Sequence, residues 1–521
     1  MKKITILLSL AIIMISGSVF AQEAEINNVR KREFRGVRAI INEQTKESQG
    51  YYTFYVDEKA EEKGMIKFML EIYDLDLKLL NKTPITITKR SVIDGSVFNG
   101  KNFFFLFNDV WKKKITYVVA DINGKIINEK VVEVEKRATT TADVYPANDG
   151  FYIVKPLKEK KLGYSITKID KDLKELWTIS NTPDKGLLSI EAVEAGTDRL
   201  ILIELKRPSL MSKKAYAKIM CLDEKTGKQL YEYPLFDGEA TCIPSAFLID
   251  KDANVVTGGM YFEGEKWKSV NSNGIFFLKL GADGKKQVYK KVDWDEGIQD
   301  LLKSSKNKLV IGSKPKVFFH DIVQAGDGGY QIISETFQKT MPAISSRLGD
   351  MISGRYIGNI NSKNSQGKYE KPLRFVIMDF IIFNYNKEGE ISNLNKIPKD
   401  ETKISIYPPY KSMPGLRLAK AVKEFGYFDY AFTTKVPGSD QEVMVSRNMS
   451  IGNPYIGVTT IAKGNDATTT KIPIKRKTAK RANSKERDFV GVVKSKTGYI
   501  CVYYYAKKEQ TVHLYLDQIK L

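Results

Sequence analysis

The segment Gly100-Lys-Asn-Phe-Phe-Phe-Leu-Phe107 places a glycine turn before an apolar run, and the polar hairpin Ala120-Asp-Ile-Asn-Gly-Lys125 follows it. Gly and Asx residues adopt the backbone angles of tight hairpins, and aromatic residues favour strands. The same turn and strand recur about every 50 residues at first, then at wider intervals. The copies begin at Gly50, Gly100, Gly150, Asp198, Asn254, Gly329, Gly426 and Gly498. This pattern predicts an internal structural repeat.

Each repeat is predicted to contain four strands, and residues 312–398 show this pattern. The four predicted strands there are Lys316–Val323, Tyr330–Thr336, Phe375–Tyr385 and Ile391–Ile397. A four-stranded antiparallel unit of this length is typical of a β-propeller blade, whose strands are covered on both faces. A β-sandwich would lack the period, and a membrane barrel would alternate apolar and polar residues. The sequence therefore predicts an all-β fold, a β-propeller of seven or eight four-stranded blades.

The last repeat, residues 488–521, offers only three strands. An incomplete ring would leave strand edges exposed. We therefore expect the fourth strand to come from the segment between Glu23 and Glu43, so that N- and C-terminal strands close the ring together. Seven blades is the alternative, should the region around Gly426 not form a blade.

Residues 1–21, MKKITILLSLAIIMISGSVFA, have the pattern of a cleavable signal peptide. Lys2 and Lys3 precede an apolar stretch that ends in small residues. The stretch is shorter than the roughly 20 residues that span a bilayer. No cysteine follows it, so there is no lipobox, and we expect a periplasmic or secreted protein. Residues 22–521 are then expected to be a single, monomeric propeller domain with no integral membrane segment.

Three insertions are expected in this domain, near 338–372, 408–425 and 463–487. The second carries Leu416, Leu418, Ala419 and Val422, a spacing that predicts a short helix. We expect this helix to form a cap over the rim of the propeller.

The third insertion contains a basic cluster, and the whole chain is basic, with 83 Lys and Arg against 62 Asp and Glu. The cluster consists of Lys475, Arg476, Lys477, Lys480 and Arg481. In an exported protein a nucleic-acid partner is not expected. The cluster is instead a candidate site for anionic polymers such as acidic glycans or lipopolysaccharide phosphates. A solvated loop without a ligand is the alternative interpretation.

The sequence offers no recognisable catalytic, cofactor-binding or metal-binding constellation. His320 and His513 are the two histidines, and they are far apart in the sequence. Asp250-Lys-Asp-Ala-Asn254 begins like a calcium loop but departs from that pattern at its sixth and twelfth positions, which predicts an ordinary turn. Cys221, Cys242 and Cys501 are expected to be buried thiols. A Cys221–Cys242 disulfide stays open, because export permits one.

The Lys-led signal peptide, the Lys-, Tyr- and Asn-rich composition and the degenerate blades resemble the exported, uncharacterised β-propeller-like proteins of Gram-negative bacteria. The resemblance implies a fold and a compartment, and it carries over no functional residue.

Two functions are compatible with these observations. The first is a binding or scaffold protein for a protein or polymer ligand at the periplasm or cell surface, and the absence of a catalytic motif favours it over an enzyme. The alternative is a polysaccharide-acting hydrolase or lyase with its site in the central channel. A cluster of Asp, Glu, Tyr and Arg side chains from three or more blades in a deep pocket at the channel mouth would indicate the enzyme, whereas a flat or plugged face would indicate binding.

The signal peptide leads to a first prediction. We expect the mature protein to begin at Gln22, because the small residues before it form the cleavage site. Intact-mass measurement on protein from its native host checks this. A mass that includes residues 1–21, or a lipid adduct, would contradict it.

Overall fold

The structure is a computed structural model. It describes residues 22–30, 34–42, 47–57, 64–134, 142–157, 162–196, 198–209, 212, 214–265, 272–298, 317–340, 350, 355–413, 415–436, 442–448, 454–461, 467–474 and 490–519. The basic cluster at 475–481 lies outside these residues.

The described strands form eight sheets, whose strands pair antiparallel except for one short parallel pair in blade 6. After β1 (Glu23–Ile26), blade 1 contains β2 (Val37–Ile41), β3 (Ser48–Val56), β4 (Met65–Tyr73) and β5 (Leu79–Thr88). Blade 2 contains β6 (Val92–Phe98), β7 (Asn102–Asp109), β8 (Lys114–Asp121) and β9 (Ile126–Glu133). Blade 3 contains β10 (Asp143–Ala147), β11 (Gly150–Leu157), β12 (Gly163–Asp170) and β13 (Glu175–Asn181). Blade 4 contains β14 (Leu187–Ala195), β15 (Arg199–Arg207), β16 (Tyr216–Asp223) and β17 (Gln229–Pro234).

The second half of the ring is built in the same way. Blade 5 contains β18 (Ala240–Ile249), β19 (Val255–Glu263), β20 (Gly274–Leu280) and β21 (Lys286–Asp293). Blade 6 contains β22 (Val317–Gln324), β23 (Tyr330–Thr340), β24 (Tyr356–Ile357), β25 (Leu373–Tyr385), β26 (Ile391–Ile397) and β27 (Thr402–Ile406). A helix, α1 (Gly415–Glu424), precedes blade 7, which contains β28 (Tyr430–Lys435), β29 (Glu442–Asn448), β30 (Tyr455–Ile461) and β31 (Thr469–Pro473). Blade 8 contains β32 (Val490–Lys494), β33 (Tyr499–Ala506), β34 (Thr511–Gln518) and, as its outermost strand, β1.

The protein is therefore an eight-bladed β-propeller, and the higher of the two predicted blade counts is confirmed. First strands of neighbouring blades contact one another, so these are the inner strands that surround the channel. The ring has two faces. We call one of them the upper face. It carries the connections from one blade to the next, such as 182–186, and the connections between the second and third strands of a blade, such as 110–113. The lower face has the other hairpins, such as 99–101 and 122–125.

The ring closes as the sequence predicts. β1 pairs antiparallel with β34, Glu23 opposite Tyr515 and Ile26 opposite Val512. Beyond β1, the Val29 amide donates to the Gln510 carbonyl at 2.8 Å, and its carbonyl accepts from the Tyr505 hydroxyl at 3.0 Å. The N-terminal segment thus completes the C-terminal blade.

Aromatic residues fill both faces of the blades. Phe105 of β7 stacks on Phe54 of blade 1 with ring centroids 4.3 Å apart. The next residue back, Phe104, stacks on Phe151 of blade 3 at 4.9 Å. Successive residues of one strand therefore pack against opposite neighbours, which explains why the run 103–107 is continuously apolar.

The polar hairpins that repeat in the sequence join each blade to the next. The Asp121 carboxylate accepts the backbone amides of Asn123 and Lys125, both at 2.9 Å, and Gly124 has a positive φ of 81°. The Asn81 side chain of blade 1 donates to the Asn123 carbonyl at 2.6 Å. Similarly, Trp177 of blade 3 donates to the carbonyl of Glu224 in blade 4 at 3.1 Å. The polar hairpin therefore has a structural role as a contact between neighbouring blades.

Blade 6 is enlarged on the upper face. The upper part of β25 pairs with β27, and β24 pairs with β27 in parallel. The short helix predicted near 408–425 is present as α1. Among the described helices, none is long and apolar enough to cross a membrane.

Ring closure leads to a second prediction. Deleting residues 22–45 removes β1 and β2 and should lower the unfolding temperature sharply. As a narrower test, Ile26→Ala should cost about 2–5 kcal/mol of unfolding free energy, because Ile26 is 1% exposed. Glu23→Ala, on an exposed residue of the same strand, is the control. Unchanged thermal unfolding of the truncated chain would contradict the closure.

Candidate functional site

Bulges in the inner strands set a ring of residues around the channel. Within the described residues, five inner strands carry an extra, bulged residue at the same position, which is four residues before the last residue of the strand. These residues are Asp94, Glu191, Ser245, His320 and Ala431. A bulge redirects a side chain locally and is common beside functional sites. The equivalent position of β10, which has no bulge, is Asp143.

Three consecutive blades place a carboxylate in this ring: Asp94, Asp143 and Glu191 of blades 2, 3 and 4. Burial raises the pKa of Asp94, and the neighbouring Asp143 adds to the effect, although Asn108 donates to Asp94 at 3.1 Å. Burial in the channel wall also raises the pKa of Asp143. This part of the ring favours protonated carboxyls or a nearby cation.

Helix α1 supplies such a cation. The Lys420 ammonium donates to the backbone carbonyl and the carboxylate of Glu191, both at 3.3 Å. One turn further along, the Lys423 ammonium lies 3.4 Å from the carbonyl of His320. Glu191 belongs to blade 4 and His320 to blade 6, and the charge of Asp143 in blade 3 acts on Glu424, so α1 lies inside the ring against these inner strands. The predicted cap over the rim is wrong, because this helix contacts inner strands rather than the periphery.

Apolar burial holds α1 in this position. Leu418, Ala419 and Val422 are each fully buried, in the same core as Phe318 and Phe428. Each buried Leu or Val side chain contributes about 1.5–3 kcal/mol. The helix ends at Glu424, and Gly426 in the following turn has a φ of 70°, in the left-handed region.

The last residue of the helix faces acids. Burial raises the pKa of Glu424, and Asp143 raises it further, while Lys420 opposes the shift. Burial also raises the pKa of Tyr145 to about 12, with Asp143, Glu424 and Glu191 contributing. The surroundings of α1 therefore contain one favourable ion pair, Lys420 with Glu191, and also carboxylates that repel one another.

A second group of ionisable residues lies between blades 6 and 7 and is closed to solvent. Glu335 accepts the Asp429 backbone amide at 3.2 Å, and its carboxylate is 3.1 Å from Nε2 of His320. The Lys399 ammonium bridges Glu335, at 3.5 Å, and Asp429. Thr402 donates to Asp429 at 3.0 Å. The four ionisable side chains are at most 5% exposed.

The charges in this network follow from its contacts. Burial would raise the pKa of Glu335, but Lys399 and His320 outweigh it and hold the pKa below its usual value. Burial raises the pKa of Asp429 despite the same lysine. Burial lowers the pKa of His320, and its Nδ1 has no hydrogen-bond partner among the described residues. The network joins two blades. Because its side chains are closed to solvent, it is not an accessible catalytic centre.

The other residues singled out from sequence are structural where the structure describes them. All three cysteines are free and buried, so the Cys221–Cys242 disulfide is not formed. Asp250 accepts the amides of Asp252 and Asn254 at 3.0 and 2.9 Å, which confirms a turn. Among the described residues, no group of three or more His, Cys, Asp or Glu is placed to hold a metal ion.

Sequence reasoning missed the ring of acids and the route of α1. Aligning the repeats on their turn markers would have brought Asp94, Asp143 and Glu191 to nearly the same position, since each precedes its marker by a similar distance. The bulges themselves leave no recognisable pattern in the sequence.

The buried network leads to a third prediction. The folded pKa of His320 lies below its ordinary value of 6.5, so the unfolded chain binds more protons and stability falls as pH drops below about 6.5. The unfolding free energy should lose up to about 1.4 kcal/mol from this residue between about pH 7.5 and 5.5. His320→Gln should remove that loss. Urea unfolding at both pH values checks it, with His513→Gln as the control; an unchanged pH dependence in His320→Gln would contradict it.

Several solved structures align with much of this chain. The WD40 domain of SCAP from fission yeast aligns with 95% of this chain and 98% of its own, at 6% identity and a TM-score of 0.39. The β-propeller domain of the Trilobed protease from Pyrococcus furiosus aligns with 84% and 97%, at 10% identity and a TM-score of 0.36. A chain from a study of two prolyl endopeptidases aligns with 91% of this chain and 54% of its own, at 7% identity and a TM-score of 0.38.

A search of the curated proteins finds no match to the sequence. A family model, described as Family of unknown function (DUF6770), matches residues 1–520. The chain therefore belongs to this family.

Proposed function

We propose that the protein is an exported binding or scaffold protein that presents its upper face to a protein or polymer ligand, in the periplasm or at the cell surface. The observation that carries the proposal is the position of α1. Its side chains contact inner strands of blades 4 and 6, at Glu191 and His320, so the helix fills channel space that a substrate would need. A plugged channel favours recognition by surface loops.

The chain is elaborated on the upper face. The extended β23 and β25, the added β24 and β27, and α1 all lie on this side of blade 6 or between blades 6 and 7. The connection that follows β31 also starts from the upper face. Rigid scaffolds commonly carry binding residues on such connections.

The basic cluster Lys475, Arg476, Lys477, Lys480 and Arg481 is the part of this connection that we propose to contact an anionic polymer. Each exposed cation contributes little alone, and salt screens it beyond about 8–10 Å. Five cations within seven residues can still hold a polyanion weakly and raise its association rate.

A polysaccharide-acting enzyme is the second candidate, and one observation favours it. The raised pKa values of Asp94 and Asp143 are of the kind that a general acid needs in glycoside hydrolysis. Against it, Lys420 of α1 already pairs with the third carboxylate, Glu191. Catalysis would require α1 to move away from the inner strands, which would expose the apolar side chains that it now buries.

The binding proposal leads to a fourth prediction. The mature protein should bind acidic polymers weakly at low salt, and replacing the five basic residues by Ser should weaken binding steeply, since the attraction is electrostatic. The matched control removes five exposed lysines of the lower-face hairpins, Lys78, Lys125, Lys174, Lys228 and Lys285. Titration at increasing salt measures both.

Three outcomes would contradict the proposal. Binding that survives the five substitutions and about 0.5 M salt would place recognition elsewhere. Failure to bind any polyanion at low salt would favour the alternative interpretation of the cluster, a solvated loop without a ligand. Cleavage of the polymer that is lost in Asp143→Asn would indicate the enzyme.

A further inference from the structure

A tryptophan is exposed at the upper end of blade 2. Trp111 lies in the turn between β7 and β8 and is 64% exposed, whereas Trp294 is 2% exposed. Lys112 and Lys113 follow it and are also exposed. A large, mostly exposed indole beside cations is characteristic of a contact surface, because Trp combines an apolar body with one polar group.

A second basic turn lies beside the first. Lys89 and Arg90, between β5 and β6, are exposed. The Thr88 hydroxyl donates to the carboxylate of Asp109 at 2.6 Å, and the same carboxylate accepts the Lys112 amide at 3.0 Å. Asp109 is only 3% exposed, so one buried carboxylate holds both turns together.

These two turns form an exposed surface, which we call the blade 2 tip: Lys89, Arg90, Val92, Trp111, Lys112 and Lys113. Val92 adds apolar surface, since it is 56% exposed. The turn is held on its other side as well, where the Val134 amide donates to the Lys113 carbonyl at 2.8 Å. The tip therefore presents four cations around two exposed apolar side chains.

The charge continues along the same face. Blades 8 and 1 add the exposed Arg35, Arg38, Lys507 and Lys508, with Glu509 as an acid in the same region. Among the described exposed residues of this region, cations therefore outnumber acids, while the connection between β3 and β4 adds Asp57, Glu58, Glu61 and Glu62 in the sequence. This surface complements an extended anionic partner better than a small ligand.

The shape of the tip selects among such partners. Small-molecule sites are concave, whereas a hairpin tip projects. Cations flanking exposed apolar side chains suit the boundary of an anionic bilayer, where lysine and arginine meet lipid phosphates and an indole enters the headgroup layer. We propose that the blade 2 tip docks on the surface of an anionic lipid bilayer. This inference is independent of the ligand assigned to the basic cluster.

The test uses the mature chain with vesicles of phosphatidylcholine, with and without phosphatidylglycerol. Co-sedimentation should occur with the anionic vesicles, and the tryptophan emission should shift to shorter wavelength on binding. Replacing Lys89, Arg90, Lys112 and Lys113 by Ser should weaken binding by at least about a hundredfold, since each cation near such a surface contributes about fivefold. Trp111→Phe should abolish the emission shift while keeping most of the binding.

The matched control replaces Lys78, Lys125, Lys174 and Lys285, exposed lysines of the lower face, by Ser and should leave vesicle binding within about threefold, because those charges face away from the bilayer. Thermal unfolding of every variant should match the wild type, since all the replaced lysines and arginines are exposed. Equal binding to both vesicle types, or none to either, would overturn the proposal. So would binding that is lost only when the cluster at 475–481 is replaced, or an emission shift that persists in Trp111→Phe.

Discussion

No blade of this protein can bury its own two faces, and the rest of the structure depends on that constraint. Phe104 and Phe105 are neighbours in β7, yet one packs against blade 3 and the other against blade 1. Every sheet therefore needs a partner on each side, which only a closed ring supplies. The pairing of β1 with β34 completes that ring. The inter-blade contacts of the polar hairpins, such as that of Asn81 with Asn123, set the spacing of neighbouring sheets.

Closing the ring creates a channel, and helix α1 of the same chain lies in it. Helix α1 buries Leu418 and Val422 in the core that contains Phe318 of blade 6, and it reaches Glu191 on blade 4 through Lys420. The same helix brings Glu424 near Asp143, whose pKa is raised by burial, as is that of the neighbouring Asp94. An ion pair, apolar burial and carboxyl repulsion therefore act on one short helix. The balance among them determines whether the channel is a plugged scaffold or can open to a substrate.

The two faces of the ring have different roles in this interpretation. The lower face repeats a short Asp-stabilised hairpin that connects blade to blade. The upper face carries α1, the enlarged blade 6 and the blade 2 tip, where Asp109 holds two basic turns around Trp111. Variation is concentrated on the upper face, because the lower-face hairpins are constrained by their contacts with the neighbouring blade. We therefore place both proposed contacts, with an anionic polymer and with a bilayer, on the upper face.

The sequence by itself determined the strands, the blade repeat and the closure of the ring, because these depend on local features. Turn residues such as Gly100 and Gly124 mark hairpins, and a run such as 103–107 can be buried on both faces only between two sheets. Tertiary structure alone decided the bulges that align Asp94, Glu191 and His320, the position of α1 against the inner strands and the network of Glu335, Lys399 and Asp429. Each of these depends on contacts between blades far apart in the chain. The free energy of such contacts is set by burial and charge at the meeting point, and no local pattern of residues records it.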